Sequence, residues 1–174
     1  MAEHPYLRPL PGRCVLRLKS WFPVASGHRE PVTLCGRVLS RQPGAIQVVP
    51  DIQVLCLGPG EWLAVSTTEA GPRIRDRVGN ELAAGGLGMV DLTEGLGPLE
   101  VSGARSAELL SKGCGLDFDP DVFRPGTCAR TRLAQVPVVI VRGSDTTRFE
   151  LYVSRSYLSY LTAWVEDAAL EYCG

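Results

Sequence analysis

Histidine is nearly absent: His4 and His28 are the only two in 174 residues. A serine, threonine or cysteine nucleophile needs a base within hydrogen-bond reach, and neither histidine stands in a motif that would supply one. His4 lies among prolines and His28 in a loop-like stretch. A Cys–His pair built on His28 is the remaining nucleophilic alternative, and nothing in its spacing favours it. Paired thiols are missing too. The six cysteines, Cys14, Cys35, Cys56, Cys114, Cys128 and Cys173, include no CxxC, so the short-spaced ligand pairs of a zinc site are lacking. Cys14, Cys35 and Cys56 are evenly spaced, but their neighbourhoods RCVLR, TLCGR and VLCLG do not repeat. Reduced, mostly buried thiols are the expectation.

No charge of either sign dominates. Lys+Arg 18 against Asp+Glu 19 leaves a net charge of −1, whereas a general nucleic-acid binder shows a basic excess. Arg73, Arg75 and Arg77 gather beside Asp76, and Arg130 stands near Arg132; a solvated face is the better reading of the first group. No apolar run approaches the ~20 residues of a membrane span, and the longest, Val136–Val141, is strand-sized. The opening residues MAEHPYLRPLPGR lack the apolar core of a signal peptide. A cytoplasmic protein, with neither nucleic acid nor membrane as partner, is expected. The composition, 45% hydrophobic and 21% charged, is that of a globular chain long enough for one domain with a core, or for two small lobes.

Residues 1–12 hold Pro5, Pro9 and Pro11 and read as an extended arm. The remainder, 13–174, reads as a single α+β domain with room for two sub-lobes. Arg13–Lys19 alternates, with Cys14, Leu16 and Leu18 facing inward. Trp21–Pro31 reads as a loop, Val32–Leu39 as a strand interrupted at Gly36, and Ile46–Val49 as a short strand. Gln53–Leu57 and Glu61–Ser66 form a hairpin about Gly58-Pro59-Gly60. Pro72 opens a helix whose Ile74, Val78 and Leu82 make one apolar stripe. The stretch Gly88–Val141 reads as the organising frame. Apolar strands flank a turn at Thr93–Pro98, Ser102 caps a helix from about Ala104 to Lys112, Gly113 stops it through a positive φ, and Val136–Val141 is a buried strand. Arg142–Thr147 turns, Arg148–Val153 alternates, and Ser154 caps a closing helix carrying Tyr157, Leu158, Leu161, Trp164, Val165, Ala168 and Tyr172. Two strand–helix units of similar shape point to a ferredoxin-like or otherwise pseudo-repeated mixed sheet, and the fold class expected is α+β, with mixed or antiparallel sheets and packed helices.

The chemistry is sparse. Asp119 and Asp121 bracket Pro120 in a loop, and Glu166 and Asp167 sit near a helix end; solvated surface is a better reading of both than an acid–base dyad. Gly85-Gly86-Leu87-Gly88 precedes a strand and Gly113-Cys114-Gly115 follows a helix, the wrong order for a phosphate cradle. Asp91, at a strand end before Thr93, either caps a backbone turn or binds a ligand or partner group, with the turn favoured. No catalytic, cofactor-binding or metal-binding residue is assigned.

The run VDLTEGLGPLEVSGARSAELLSKGCGLDFDPDVFRPGTCARTRLAQVPVVIVR, with LGPGEWL, FELYVSRSY and AWVEDAALEY, resembles the gamma-subunit family of heterotetrameric sarcosine oxidase. The similarity runs from about Leu57 to the end, and its specificity lies in the ordered set KGC-x-LD, PG-x-C-A-x-T and RFELYV-x-RSY. The resemblance implies a fold like the folate-binding domain of the glycine-cleavage T protein. It implies a complex that oxidatively demethylates sarcosine or a related N-methyl amino acid, with alpha as direct partner and beta and delta in the assembly. FAD, FMN, NAD, tetrahydrofolate and zinc are implied for the whole complex and none for this chain. Folate-dependent relatives place an acidic side chain after a glycine-containing turn. Here Cys128–Ser144 contains no Asp or Glu, and Ala134-Gln135-Val136-Pro137 stands where that turn should lie. Two readings follow: a non-catalytic assembly subunit, or an independent folate-binding or one-carbon transferase domain. Trp21, Trp62 and the proline-rich arm are the candidate contact residues.

Overall fold

Short alternating strands with turn residues between them can bury only one face of a sheet each, so they need helices or a second layer to cover it. The computed structural model describes residues 5–20, 31–66, 71–83 and 87–172, and these form two compact units. One is Gly12–Glu94. The other joins Met1–Pro11 to Gly95–Gly174. Each unit has its own five-stranded sheet and apolar core. The architecture is α+β, and every strand pairing described is antiparallel.

In the Gly12–Glu94 unit, β2 (Val15–Ser20) lies between β7 (Glu61–Ser66) and β8 (Leu87–Asp91). The sheet continues from β7 through β6 (Ile52–Gly58) to β5 (Ile46–Val49). Leu16 and Leu18 are fully buried, as their alternation requires. Helix α1 (Gly71–Ala83) sets Ile74, Val78 and Leu82 against that core. The stretch expected as one interrupted strand is a small hairpin, β3 (Thr33–Leu34) and β4 (Arg37–Val38). Its turn residues Cys35 and Gly36 both have positive φ, 50° and 70°, the geometry of a two-residue turn that matches strand twist. Trp62 is 1% exposed and its Nε1 donates to the Ser40 carbonyl at 2.7 Å. It is a core anchor of this unit, not the contact residue expected from its aromatic character.

In the second unit the strand order is β1 (Leu7–Pro9), β9 (Leu96–Ser102), β12 (Arg148–Ser154), β11 (Val136–Arg142), β10 (Cys128–Leu133). The proline-rich arm therefore supplies an edge strand of its own chain's sheet. Leu7, Leu99, Val101, Phe149, Leu151, Val153, Val138 and Ile140 share the core with α2 (Ser106–Ser111) and α3 (Leu158–Ala169). From α3, Leu161, Val165 and Ala169 are fully buried. Each large aliphatic chain so placed contributes about 1.5–3 kcal/mol.

Several local expectations change. Thr93–Pro98 is not a hairpin turn: β8 pairs with β2 while β9 pairs with β1 and β12, and the boundary between units falls at Glu94 and Gly95. The stretch Gly88–Val141 is thus divided between units. Ser102 ends β9, and α2 begins only at Ser106 without a side-chain cap. Ser154 likewise gives no cap bond; a 3-10 turn, Arg155–Tyr157, precedes α3. Gly113 has no positive φ. A Cβ there would meet Trp164 Cη2 at 2.7 Å, so glycine is required by the approach of the indole. The polar turn expected at Arg142–Thr147 begins one residue later, because Arg142 ends β11 and is 2% exposed.

Candidate functional site

The carboxylates flagged by the sequence serve the backbone. Asp91 Oδ1 accepts from the Thr93 N–H at 2.9 Å, and its Oδ2 from Arg75 at 3.3 Å. The Thr93 bonds, with Arg75 adding to them, hold its carboxyl below the usual range. The Thr93 hydroxyl accepts from the Val15 N–H and donates to Cys14 Sγ at 3.7 Å. Burial pushes the Cys14 thiol up, so the group is less nucleophilic than a free cysteine. Asp119 and Asp121 belong to consecutive turns: the Asp119 N–H donates to Asp117 Oδ1, and the Asp121 N–H to Asp119 Oδ1. Glu166 and Asp167 are exposed on α3. His4, Trp21, His28 and Cys173 lie outside the described residues.

The cysteines Cys14, Cys35, Cys56, Cys114 and Cys128 are reduced thiols, four of them buried. Burial raises Cys35 and Cys56 as well. No group of metal-ligating side chains occurs among the described residues. No described helix is long and apolar enough to cross a membrane.

At Ala134 and Gln135, where folate-dependent relatives are expected to place an acid, the chain makes the two-residue turn between β10 and β11, with φ of 49° and 69°. Neither residue carries a titratable group. The position offers a tight reversal and no carboxylate, only amide carbonyls, one of which, Gln135 O, takes Arg132 Nη2 at 2.6 Å. The residues present do not fit a one-carbon site that depends on a carboxylate there.

Two charged clusters escape the sequence reading. Glu100, on the strand between β1 and β12, is 5% exposed. It accepts from Arg8 Nη2 at 3.0 Å and Arg148 Nη2 at 2.6 Å, one oxygen to each. Burial pushes its carboxyl up, but the bonds and charges of Arg148 and Arg8 outweigh that and leave it below its ordinary value. A lone carboxylate between Leu99 and Val101 was the available signal. The other cluster is centred on Arg142. Its Nη1 donates to the carbonyls of Phe118 and Phe123 at 2.7 and 2.8 Å, and Nη2 to Thr146 O at 3.1 Å. The guanidinium lies 5.2 Å from the Phe149 ring centre, and its Nε has no partner. Burial lowers its pKa from the ordinary value. The bonds run to carbonyls of the Phe118–Phe123 segment, so the group pins an irregular loop to β11.

Neither cluster places a nucleophile beside a base. Comparison with known proteins supplies the context. The sarcosine oxidase, gamma subunit family model matches residues 24–171. The chain belongs to the sarcosine oxidase gamma subunit family. Curated members include the sarcosine oxidase subunit gamma of Arthrobacter sp, 29% identical over 156 residues, covering 86% of this chain and 73% of the relative. Another, from Corynebacterium sp. (strain P-1), is 28% identical over 153 residues, covering 86% of this chain and 73% of the relative. Among solved structures, a chain of the heterotetrameric sarcosine oxidase from Corynebacterium sp. U-96, in complex with pyrrole 2-carboxylate, has a TM-score of 0.81 and 25% identity. That match covers 97% of this chain and 85% of the other. The glycine cleavage system aminomethyltransferase T from Bartonella henselae matches with a TM-score of 0.66 at 12% identity, over 91% of this chain and 44% of that one. At that identity the likeness speaks to fold, and the fold is the one the gamma family shares with the T protein.

Proposed function

We propose that this chain is the gamma subunit of a heterotetrameric sarcosine oxidase-type complex and serves it as a non-catalytic assembly subunit. The observation that carries the reading is the near end-to-end likeness to a chain of the Corynebacterium heterotetramer. The complex oxidatively demethylates sarcosine or a related N-methyl amino acid, and the amine pocket and flavins belong to other subunits. Alpha is the direct partner, with beta and delta completing the assembly. FAD, FMN, NAD, tetrahydrofolate and zinc are cofactors of the whole complex and not of this chain. The working compartment is the cytoplasm.

The chain's own residues support a scaffold. The thiols of Cys14, Cys35 and Cys56 are raised by burial, Asp91, Asp117 and Asp119 cap turns, and buried Glu100 and Arg142 tie strands and loops together. Co-purification from the native source, with mass spectrometry of the retained chains, tests the reading; recovery of the chain alone overturns it. Tetrahydrofolate separates it from an independent folate enzyme. A true site at 100 times its Kd stabilises by about 2.7 kcal/mol. No change in melting temperature is expected for the lone chain, and a shift with one-carbon transfer would sink the scaffold reading.

A further inference from the structure

We propose that the N-terminal arm is a detachable guard strand. It opens from β9 as a unit while the rest of its sheet stays folded, and closed it keeps the β9 edge from pairing with a second copy of this chain. The arm is held by little. β1 has three residues, of which Leu7 is buried while Arg8 and Pro9 are exposed; β9 and β12 are seven residues each and pair along their whole length. The bonds flanking the β1 ladder run from the Ser102 N–H to Tyr6 O at 3.1 Å and from the Leu10 N–H to Pro98 O at 3.0 Å. Segments with few buried apolar side chains and exposed hydrogen bonds are the ones that open below the global unfolding free energy.

What the arm leaves behind keeps a partner. Glu100 loses Arg8 but retains Arg148 at 2.6 Å, so no buried charge is orphaned. The Tyr6 ring seats against Gly103, where a Cβ would meet its Cε1 at 2.7 Å. It also lies 6.0 Å from the Tyr172 ring, which Arg105 and Lys112 still cover at 4.9 and 4.4 Å once Tyr6 is gone. The closed edge, in turn, is blunt. The Tyr6 and Leu10 bonds fix the parity of the arm, so positions 5, 7 and 9 turn their backbone polar groups outward. Pro5 and Pro9 have no N–H, which leaves Leu7 as the donor between them. Opening exposes a better template. Pro98 lacks a donor, but Glu100 and Ser102 each carry one, with the Pro98 carbonyl beside them, and an uncovered edge of that kind pairs with another chain.

Native-state hydrogen exchange on the full chain, read residue by residue by NMR, tests this. The Leu10 and Ser102 amides should exchange together, and at least about tenfold faster than those of Ile140 and Leu151 on the inner strands. Tyr6→Ala should speed both arm-dependent amides by one common factor, about tenfold for a lost ring contact and its buried area, with Ile140 and Leu151 unchanged. Leu7→Asp holds the arm open, because the core position does not accommodate a carboxylate. Its inner strands should stay protected, and sedimentation velocity should show self-association that the wild-type chain lacks at the same concentration. Arm and inner amides exchanging at one rate, or unequal changes at Leu10 and Ser102, overturn the opening unit. A Leu7→Asp chain that is folded but monomeric overturns the guard role, and one that loses protection at Ile140 and Leu151 overturns detachment.

Discussion

Gly113→Ala is the sharpest test of how the second unit packs. The added methyl would sit 2.7 Å from Trp164 Cη2 and closer still to Cζ2, with the Ala134 backbone N at 3.2 Å. The indole edge is rigid, so the ring must swing or α3 must shift. Overpacking of this kind costs about 1–3 kcal/mol. The half-buried position of Trp164 gives it some room, which favours the lower half of that range. For a chain of this size each kcal/mol moves the melting temperature by roughly 2–4 °C, so a fall of roughly 2–8 °C is expected. Thermal melts followed by tryptophan fluorescence and by far-UV circular dichroism would report it, and their coincidence would check that one transition is being measured. The decisive arm is a double-mutant cycle with Trp164→Ala. Once the ring is gone, the methyl has only the Ala134 contact to accommodate, and most of the cost should vanish as coupling of about 1–3 kcal/mol. An equal penalty in both backgrounds would mean that backbone conformation, not the indole, selects glycine. No penalty in either would refute the packing argument outright.

Two further outcomes follow from the buried charges. Glu100 titrates below its ordinary value when folded; its stabilisation is therefore complete above the unfolded carboxylate range near ~4.3 and is lost as pH falls through the lower folded value. Glu100→Gln should cost on the order of 1 kcal/mol at neutral pH, since both arginines are half exposed, and should flatten the acid limb of a denaturant-midpoint profile; an unchanged limb contradicts the assignment. Arg142→Met should cost about 3 kcal/mol by leaving carbonyls of Phe118, Phe123 and Thr146 without their charged donor, and should open the loop to chymotrypsin at Phe118 and Phe123, so unchanged proteolysis would argue against the clamp.

What the sequence made legible was local and periodic. Leu16 and Leu18, Ile74, Val78 and Leu82, and Leu161 and Val165 are buried where alternation or helical spacing places them, because solvent exposure of an apolar side chain is penalised whatever surrounds it. The Gly58-Pro59-Gly60 turn is equally local, with Gly60 at a φ of 75°. What failed depended on partners far along the chain. Nothing near Thr93–Pro98 tells that β8 will pair with Val15–Ser20 and β9 with Leu7–Pro9. Gly113 shows the same limit, since a stop signal and a cavity for a tryptophan some fifty residues later are spelled with one letter. Trp62 looked like a contact residue because aromaticity was visible and its burial against the Gly12–Glu94 core was not.

The hairpin at Ala134 and Gln135 joins the fold to the function. Two non-glycine residues at positive φ carry a cost of roughly 1–2 kcal/mol each, and glycine, asparagine or aspartate would relieve it. An aspartate would satisfy both the turn and folate chemistry. The chain has neither the cheap turn residue nor the acid. What holds the reversal is the surrounding structure: the Ala134 N–H donates to Gly113 O at 3.0 Å, Arg132 clasps Gln135 O, and Leu133 is fully buried beside it. The same contacts tie the turn to Gly113 and so to the indole of Trp164 on α3. The reversal at Ala134 and Gln135 is thus held by packing and backbone hydrogen bonds rather than by turn residues that favour positive φ.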